Sequence, residues 1–183
     1  MFERTVDQTT IYDGRVLALE VLRVELEDGR RSVREIVRHA RAVGVLPRLP
    51  DGRFLLVRQF RKAMEREMIE ICAGLVEDGE APEAAARREL LEETGCRAER
   101  LVKLGSLCSS PGYTDEVVDV FFADCRAPGA SPDLDDDEHV EVVRASREDV
   151  DAMILDGTLF DGKSVAAWHL FALWDARVRQ GGA

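Results

Sequence analysis

Apolar and polar positions along the first forty residues alternate with a period of two. Leu22, Val24 and Leu26 alternate with Arg23 and Glu25, and Val16 and Ala18 are in step with the leucines. Period two sends successive side chains to opposite faces, so this stretch is predicted to be extended. Leu17, Leu19 and Val21 make its first half apolar on the other face too. Asp28-Gly29 is a tight-turn pair, after which Ser32 to Arg38 returns as the second arm of a hairpin. Ala42 to Leu49 and Phe54 to Phe60 predict a second hairpin around Pro50-Asp51-Gly52, and Met68 to Cys72 a short strand.

The pattern then changes. Pro82 suits a first helical position, Ala84 to Thr94 is rich in alanine and glutamate, and Gly95 stops the helix. Arg100 to Ser109 and Val117 to Ala123 read as strands flanking a Ser-Pro-Gly-Tyr-Thr-Asp loop, followed by an acidic loop over Gly129 to Asp137 and a last strand over Glu138 to Val143. Ser146 with Asp149 forms a capping-box pattern for a helix to Leu155, and Val165 to Val178 closes the chain as an amphipathic helix. Mixed strands with helices on both faces predict an α+β fold, an α/β/α sandwich around a mixed sheet. Residues 1–40 form a small N-terminal antiparallel β-sheet element and residues 41–183 the main domain.

Composition narrows the setting. The chain has 183 residues, 45% hydrophobic and 33% charged, enough for one good core plus a small appended element. No run approaches 18 apolar residues, so no membrane span is expected. The start, MFERTVDQTTIYDG, carries charges where a signal peptide needs an apolar stretch. Cys72, Cys96, Cys108 and Cys125 form no C-x-x-C pair and read as free thiols of a cytoplasmic protein. A net charge of −11 would repel a nucleic-acid backbone. It leaves room for phosphorylated small molecules, because a bound divalent metal inverts the local sign.

The chemistry concentrates in residues 74–96, GLVEDGEAPEAAARRELLEETGC. Glu89, Glu92 and Glu93 stand at i, i+3 and i+4, so their side chains leave one helix face. Like charges at that spacing repel by roughly 0.2–0.5 kcal/mol per pair. Keeping them together calls for a cation, and oxygen-only ligands suit Mg²⁺ or Mn²⁺. Upstream, Arg58-Gln59-Phe60-Arg61 ends a strand with arginines able to clamp phosphate, and Ala73 and Gly74 are small enough for close backbone approach to a ligand. A second pattern, Gly157-Thr158-Leu159-Phe160-Asp161-Gly162-Lys163-Ser164, matches a phosphate-binding loop in spacing only. Such a loop needs a buried strand before it, whereas a capped helix precedes this one, with bulky Leu159 and Phe160 inside it. It is expected to be a helix-to-helix turn.

The segment from Gly74 to Cys96 fills Gly-x5-Glu-x7-Arg-Glu-U-x-Glu-Glu-x-Gly-U, with U bulky and apolar, and so resembles the Nudix box. Arg-Gln-Phe-Arg, then Glu70-x-x-Ala73-Gly74, then Ser110-Pro111-Gly112 with Thr114 to Glu116 resemble the ADP-ribose pyrophosphatase branch of that family. In that branch a proline lies sixteen positions after the second glycine of the box, as Pro111 does after Gly95. Asp13 to Val16 and Arg34 to Val37 resemble it too, whereas Cys72 stands where the branch usually has proline.

The resemblance implies a Nudix fold and hydrolysis of ADP-ribose to AMP and ribose 5-phosphate with two or three Mg²⁺ per site, Mn²⁺ substituting. It implies Ala73, Glu89, Glu93 and also Glu92 and Glu138 as metal ligands, and Arg88 as the residue that orients the cluster, with Glu70 fixing Arg88 or the turn. Glu138 or Glu92 would accept the proton, with Glu141 the fallback for Glu138. Arg34, Glu35, Arg61, Gly112, Thr114 and Glu116 would contact the nucleotide or its phosphates. It also implies a homodimer through the N-terminal strands. Two other functions stay open: a pyrophosphatase for another nucleotide sugar such as GDP-mannose or for a nucleoside polyphosphate, and a non-catalytic ADP-ribose sensor.

Overall fold

The computed structural model describes residues 2–126 and 139–181. Two compact units emerge, Met1–Arg41 with Cys108–Val117, and Ala42–Leu107 with Val118–Ala183.

In the first unit the alternating N-terminal pattern becomes a three-stranded antiparallel sheet: β1 Glu3–Asp13, β2 Leu17–Leu26 and β3 Arg31–His39, with β2 in the middle. The Asp28-Gly29 signal is used as expected. Gly29 takes φ 79°, a left-handed value open to glycine at little cost, and the Leu26 N–H donates to the Arg30 carbonyl at 2.8 Å. Register runs from Leu17 opposite His39 to Glu25 opposite Arg31. Residues 108–117 attach to the end of β3, where the Val37 N–H donates to the Tyr113 carbonyl at 2.7 Å and the Asp115 N–H to the Val37 carbonyl at 3.3 Å.

The second unit holds a seven-stranded mixed sheet. Its strands are β4 Ala42–Arg48, β5 Phe54–Arg61, β6 Arg66–Glu70, β7 Cys72–Leu75, β8 Ala98–Cys108, β9 Val117–Cys125 and β10 Val140–Ala145. The main path is β10-β5-β4-β9-β8, with β4 and β9 parallel. Alternate residues of β5 sort into two cores, as period two requires. Leu55 and Val57 join Ala85, Ala86 and Leu90 of the helix α1, Pro82–Thr94. Phe54 and Leu56 join Val150 of α2, Arg147–Asp156, and Ala167, Trp168 and Phe171 of α3, Gly162–Arg179. Helices therefore cover both faces of the sheet, as the sequence predicts.

The second predicted hairpin is regular only at its turn. β4 and β5 pair at Arg48 and Phe54 and then part. Beyond that point β5 takes β6, from Val57 opposite Glu70 to Arg61 opposite Arg66, while β4 takes β7, from Val45 opposite Cys72 to Ala42 opposite Leu75. One segment thus fills the gap between the splayed strands, changing partner at Ile71, and delivers Ala73 and Gly74 beside α1. The expected strand over Met68 to Cys72 is in fact these two strands, joined by a 3-10 turn, Lys62–Met64, to the end of β5.

Candidate active site

α1 begins at Pro82 and ends on Gly95, whose φ of 68° and N–H bond to the Leu91 carbonyl at 2.8 Å make a left-handed cap. Its buried side carries Ala85, Ala86, Leu90, Glu93 and Thr94. Two alanines keep the helix close to the sheet, and that closeness brings carboxylates against β7. Glu93, only 4% exposed, accepts a hydrogen bond from the Ala73 N–H at 3.2 Å. Glu89, one turn earlier, lies on Gly74. A Cβ at Gly74 would stand 1.9 to 2.3 Å from the three atoms of the Glu89 carboxyl group, so the missing side chain is what admits the carboxylate.

Arg88 ties the cluster together. Its Nη1 donates to Glu89 at 2.7 Å and to Glu92 at 3.1 Å, its Nε and Nη2 donate to Glu80 at 3.1 and 2.9 Å, and its Nη2 reaches the Leu75 carbonyl at 2.9 Å. The Arg88 pKa is raised, first by the Glu80 hydrogen bond and then by Glu89, against the opposing effect of burial. Glu80 is lowered by Arg88 and by the Glu77 N–H, which donates to it at 3.1 Å. Arg88 is therefore a permanent cation that offsets the like-charge repulsion of the acidic face.

Beside this cluster stands a second network. Glu70 is 2% exposed. Arg61 donates to it through Nε at 2.8 Å and Nη2 at 2.7 Å, and Lys163 donates to the same carboxylate. Burial pushes the Glu70 pKa up, but Arg61 and Lys163 outweigh it and hold it below its ordinary value. Of the two roles expected for Glu70, fixing Arg88 or fixing the turn, the first is corrected: its partners are Arg61 and Lys163, because β6 points it along the same face as Arg61 on β5.

The remaining candidates lie in the first unit. Arg34 on β3 donates to Glu3 on β1 through Nε at 3.0 Å and also bonds Ser32 and the Val33 carbonyl. Glu35 follows it on the opposite face and is exposed. Gly112, Thr114 and Glu116 belong to the loop attached to β3, and the Glu116 N–H donates to Thr114 Oγ1 at 3.2 Å. The structure thus groups Arg61, Ala73, Arg88, Glu89, Glu92 and Glu93 in one unit, and Arg34, Glu35 and the loop residues in the other. Glu138 lies outside the described residues. Glu141, its fallback, accepts from Arg58 Nη1 at 3.0 Å, and both border a cavity of ≈ 470 Å³ with Gln59, Phe60, Glu67 and His139.

Sequence reasoning missed Lys163, Ser164 and Asp161. They lie inside the Gly-Lys-Ser pattern set aside as a turn. The turn itself is as expected, but Gly162 to Ser164 already form the first turn of α3, capped by Asp161. An Asp three residues before a Ser was the signal available.

Among the described residues no three acidic, histidine or cysteine side chains converge on one point. The donor chemistry nonetheless suits a hard divalent cation: three carboxylates from one helix face and the small-residue backbone at Ala73-Gly74, all oxygen. No described helix is long and apolar enough to cross a membrane.

The NUDIX domain family matches residues 38–168. An ADP-ribose pyrophosphatase of Bacillus subtilis is 41% identical over 175 residues, 95% of each chain. A methanol dehydrogenase activator of Bacillus methanolicus is 37% identical over the same shares. A GDP-mannose pyrophosphatase of Yersinia enterocolitica is 36% identical over 63% of this chain and 64% of its own. A solved structure described as an ADP compounds hydrolase superposes with a TM-score of 0.86 at 25% identity, covering 100% of this chain and 98% of that one. With its acidic helix face, its glycine under Glu89 and a family match across most of its length, the chain belongs to the Nudix hydrolases.

Proposed function

We propose that the chain cleaves the diphosphate of ADP-ribose to AMP and ribose 5-phosphate. The observation that carries the substrate is the 41% identity, spanning 95% of both chains, to a protein named ADP-ribose pyrophosphatase. Nudix hydrolases generally use a divalent metal. Here Mg²⁺ is proposed, two or three ions per site with Mn²⁺ able to substitute, held by the Ala73 carbonyl, Glu89, Glu92, Glu93 and Glu138. Bound there, the metal supplies charge neutralisation on the diphosphate and acidifies a water.

The residues divide the remaining work. Gly74 leaves the space that Glu89 occupies. Arg88 holds Glu89 and Glu92 in one orientation. Glu138 or Glu92 takes the proton from the attacking water. Arg61 uses Nε and Nη2 on Glu70, which leaves Nη1 outside that pair to meet a phosphate oxygen. Arg34, Glu35, Gly112, Thr114 and Glu116 bind the nucleotide. The active form is proposed to be a homodimer built on the N-terminal strands, in a cytoplasmic setting, and light scattering at several concentrations tests the dimer.

The test of function is product analysis with purified protein and Mg²⁺ or Mn²⁺. ADP-ribose is expected to give AMP with kcat/KM at least about tenfold above GDP-mannose, a discrimination that a few pocket contacts supply. GDP-mannose is the second reading, favoured by the shorter match to the Yersinia protein. No AMP from ADP-ribose at any metal concentration overturns the proposal.

A further inference from the structure

The geometry points to Lys163 and Ser164 as positioning residues for the carboxylate cluster: the first turn of α3 fastens the Glu70-Ile71 step from which β7 carries Ala73 and Gly74 to Glu93 and Glu89. This inference rests on the proposed reading of Ala73, Glu89 and Glu93 as the metal-binding group.

At Ile71 the segment leaves β5 and joins β4, so a backbone group at this break needs a partner outside the sheet. The Ile71 N–H finds it in Ser164 Oγ at 2.9 Å, a bond buried with Ser164 at 1% exposure. The same hydroxyl donates to Asp161 Oδ2 at 2.6 Å, so one group accepts from the strand and donates to the helix cap. Asp161 also accepts from the Ser164 N–H at 3.0 Å and from Lys163 Nζ at 2.9 Å. Lys163 then donates to Glu70, the residue before Ile71. The last residue of β6 and the residue at the break are thus gripped by two consecutive residues of one helix turn, ninety-three positions away in the chain.

The grip takes effect two and three residues further along the strand. Ala73, two residues past Ile71, donates to Glu93, and Gly74 is in contact with Glu89. The placement of β7 relative to α1 therefore sets where both carboxylates stand. Partners one layer out from a metal-binding group typically change metal affinity or activity by about 10–100-fold when removed.

The test uses Ser164→Ala and Lys163→Met in the full chain, with Val150→Ala as a control that loosens the buried core under α2 but removes none of the hydrogen bonds at Glu70 and Ile71. Mn²⁺ affinity is read by electron paramagnetic resonance without substrate, alongside kcat, KM and thermal midpoint. Both variants are expected to bind Mn²⁺ about tenfold more weakly and to lose about tenfold in kcat with KM little changed, the range set by outer partners of metal sites. Ser164→Thr and Lys163→Arg, which keep the hydroxyl and the charge, are expected to recover most of the affinity. Val150→Ala is expected to lower the thermal midpoint and leave Mn²⁺ affinity as in the unsubstituted protein. Should Ser164→Ala not fold, Lys163→Met carries the test alone. Variants that lose thermal stability but keep Mn²⁺ affinity and kcat overturn the inference and leave the proposed function standing. An unsubstituted protein that binds no Mn²⁺ overturns the metal reading itself, and one that binds Mn²⁺ but spares ADP-ribose overturns only the substrate.

Discussion

Gly74 is the residue at which the least atomic change has the largest expected effect on chemistry. Its backbone is not in the left-handed region, so alanine there brings no backbone strain. The added Cβ instead meets the Glu89 carboxyl group, the far end of a flexible side chain that can swing away. Gly74→Ala is therefore expected to cost less than about 1 kcal/mol in urea unfolding, yet to lower kcat by about 100-fold, as misplacing a group by an ångström does. A loss of several kcal/mol in stability with kcat preserved would show that Gly74 serves the fold and not the placement of Glu89. Glu93→Gln asks a complementary question. The amide oxygen can still accept the Ala73 N–H, but the charge is gone, so the fold is expected to hold while activity falls by about 10²–10³-fold in an assay at saturating Mg²⁺.

At the scale of elements, what the sequence made legible was local. Both ends of α1 were readable because Pro82 and Gly95 act on their own neighbours, and α2 because Ser146 and Asp149 cap each other. The capping box is complete: Ser146 Oγ accepts the Asp149 N–H at 3.1 Å, and Asp149 Oδ2 accepts the Ser146 N–H at 2.8 Å. Ser146→Ala is expected to cost about 1 kcal/mol in urea unfolding and to leave hydrolysis unchanged. The splay of β4 from β5 was not legible, because Ala42 to Leu49 and Phe54 to Phe60 read the same whether paired or parted. What parts them is residues 66–75, whose pairing with both is a matter of tertiary competition for strand edges. The candidate site divides in the same way. The spacing of Glu89, Glu92 and Glu93 was readable on a helix. The contribution of Lys163 and Ser164 was not, since it depends on a contact ninety-three residues away.

At the scale of the whole molecule, the same ionisable groups fix how stability answers pH. Glu70 weighs on the acid side because it is nearly inaccessible to water and faces two cations. Burial raises its pKa, but Arg61 and Lys163 prevail and the folded value lies below the ordinary 4.5. Asp115, held by the His39 N–H and Arg38 against its own burial, is likewise lowered. A folded pKa below the unfolded one means stability that is present above the unfolded pKa and lost as pH falls through the folded value. The thiols act in the opposite sense. Burial raises Cys72 well above its ordinary 9.0 and Cys125 to about 12. A folded pKa above the unfolded one means stability present below 9.0 and lost as pH rises toward the folded value. The urea midpoint is therefore expected to be level between about pH 5 and pH 9 and to fall on both sides. Each limb has its own substitution. Glu70→Gln should lower the plateau, by about 1–3 kcal/mol for an Arg61 left without its carboxylate while Lys163 keeps Asp161, and make the acid limb shallower. Cys125→Ala should leave the acid limb alone and flatten the alkaline one. A midpoint that stays level down to pH 3, or an acid limb unchanged by Glu70→Gln, would show that Arg61 and Lys163 do not hold Glu70 ionised in the folded chain.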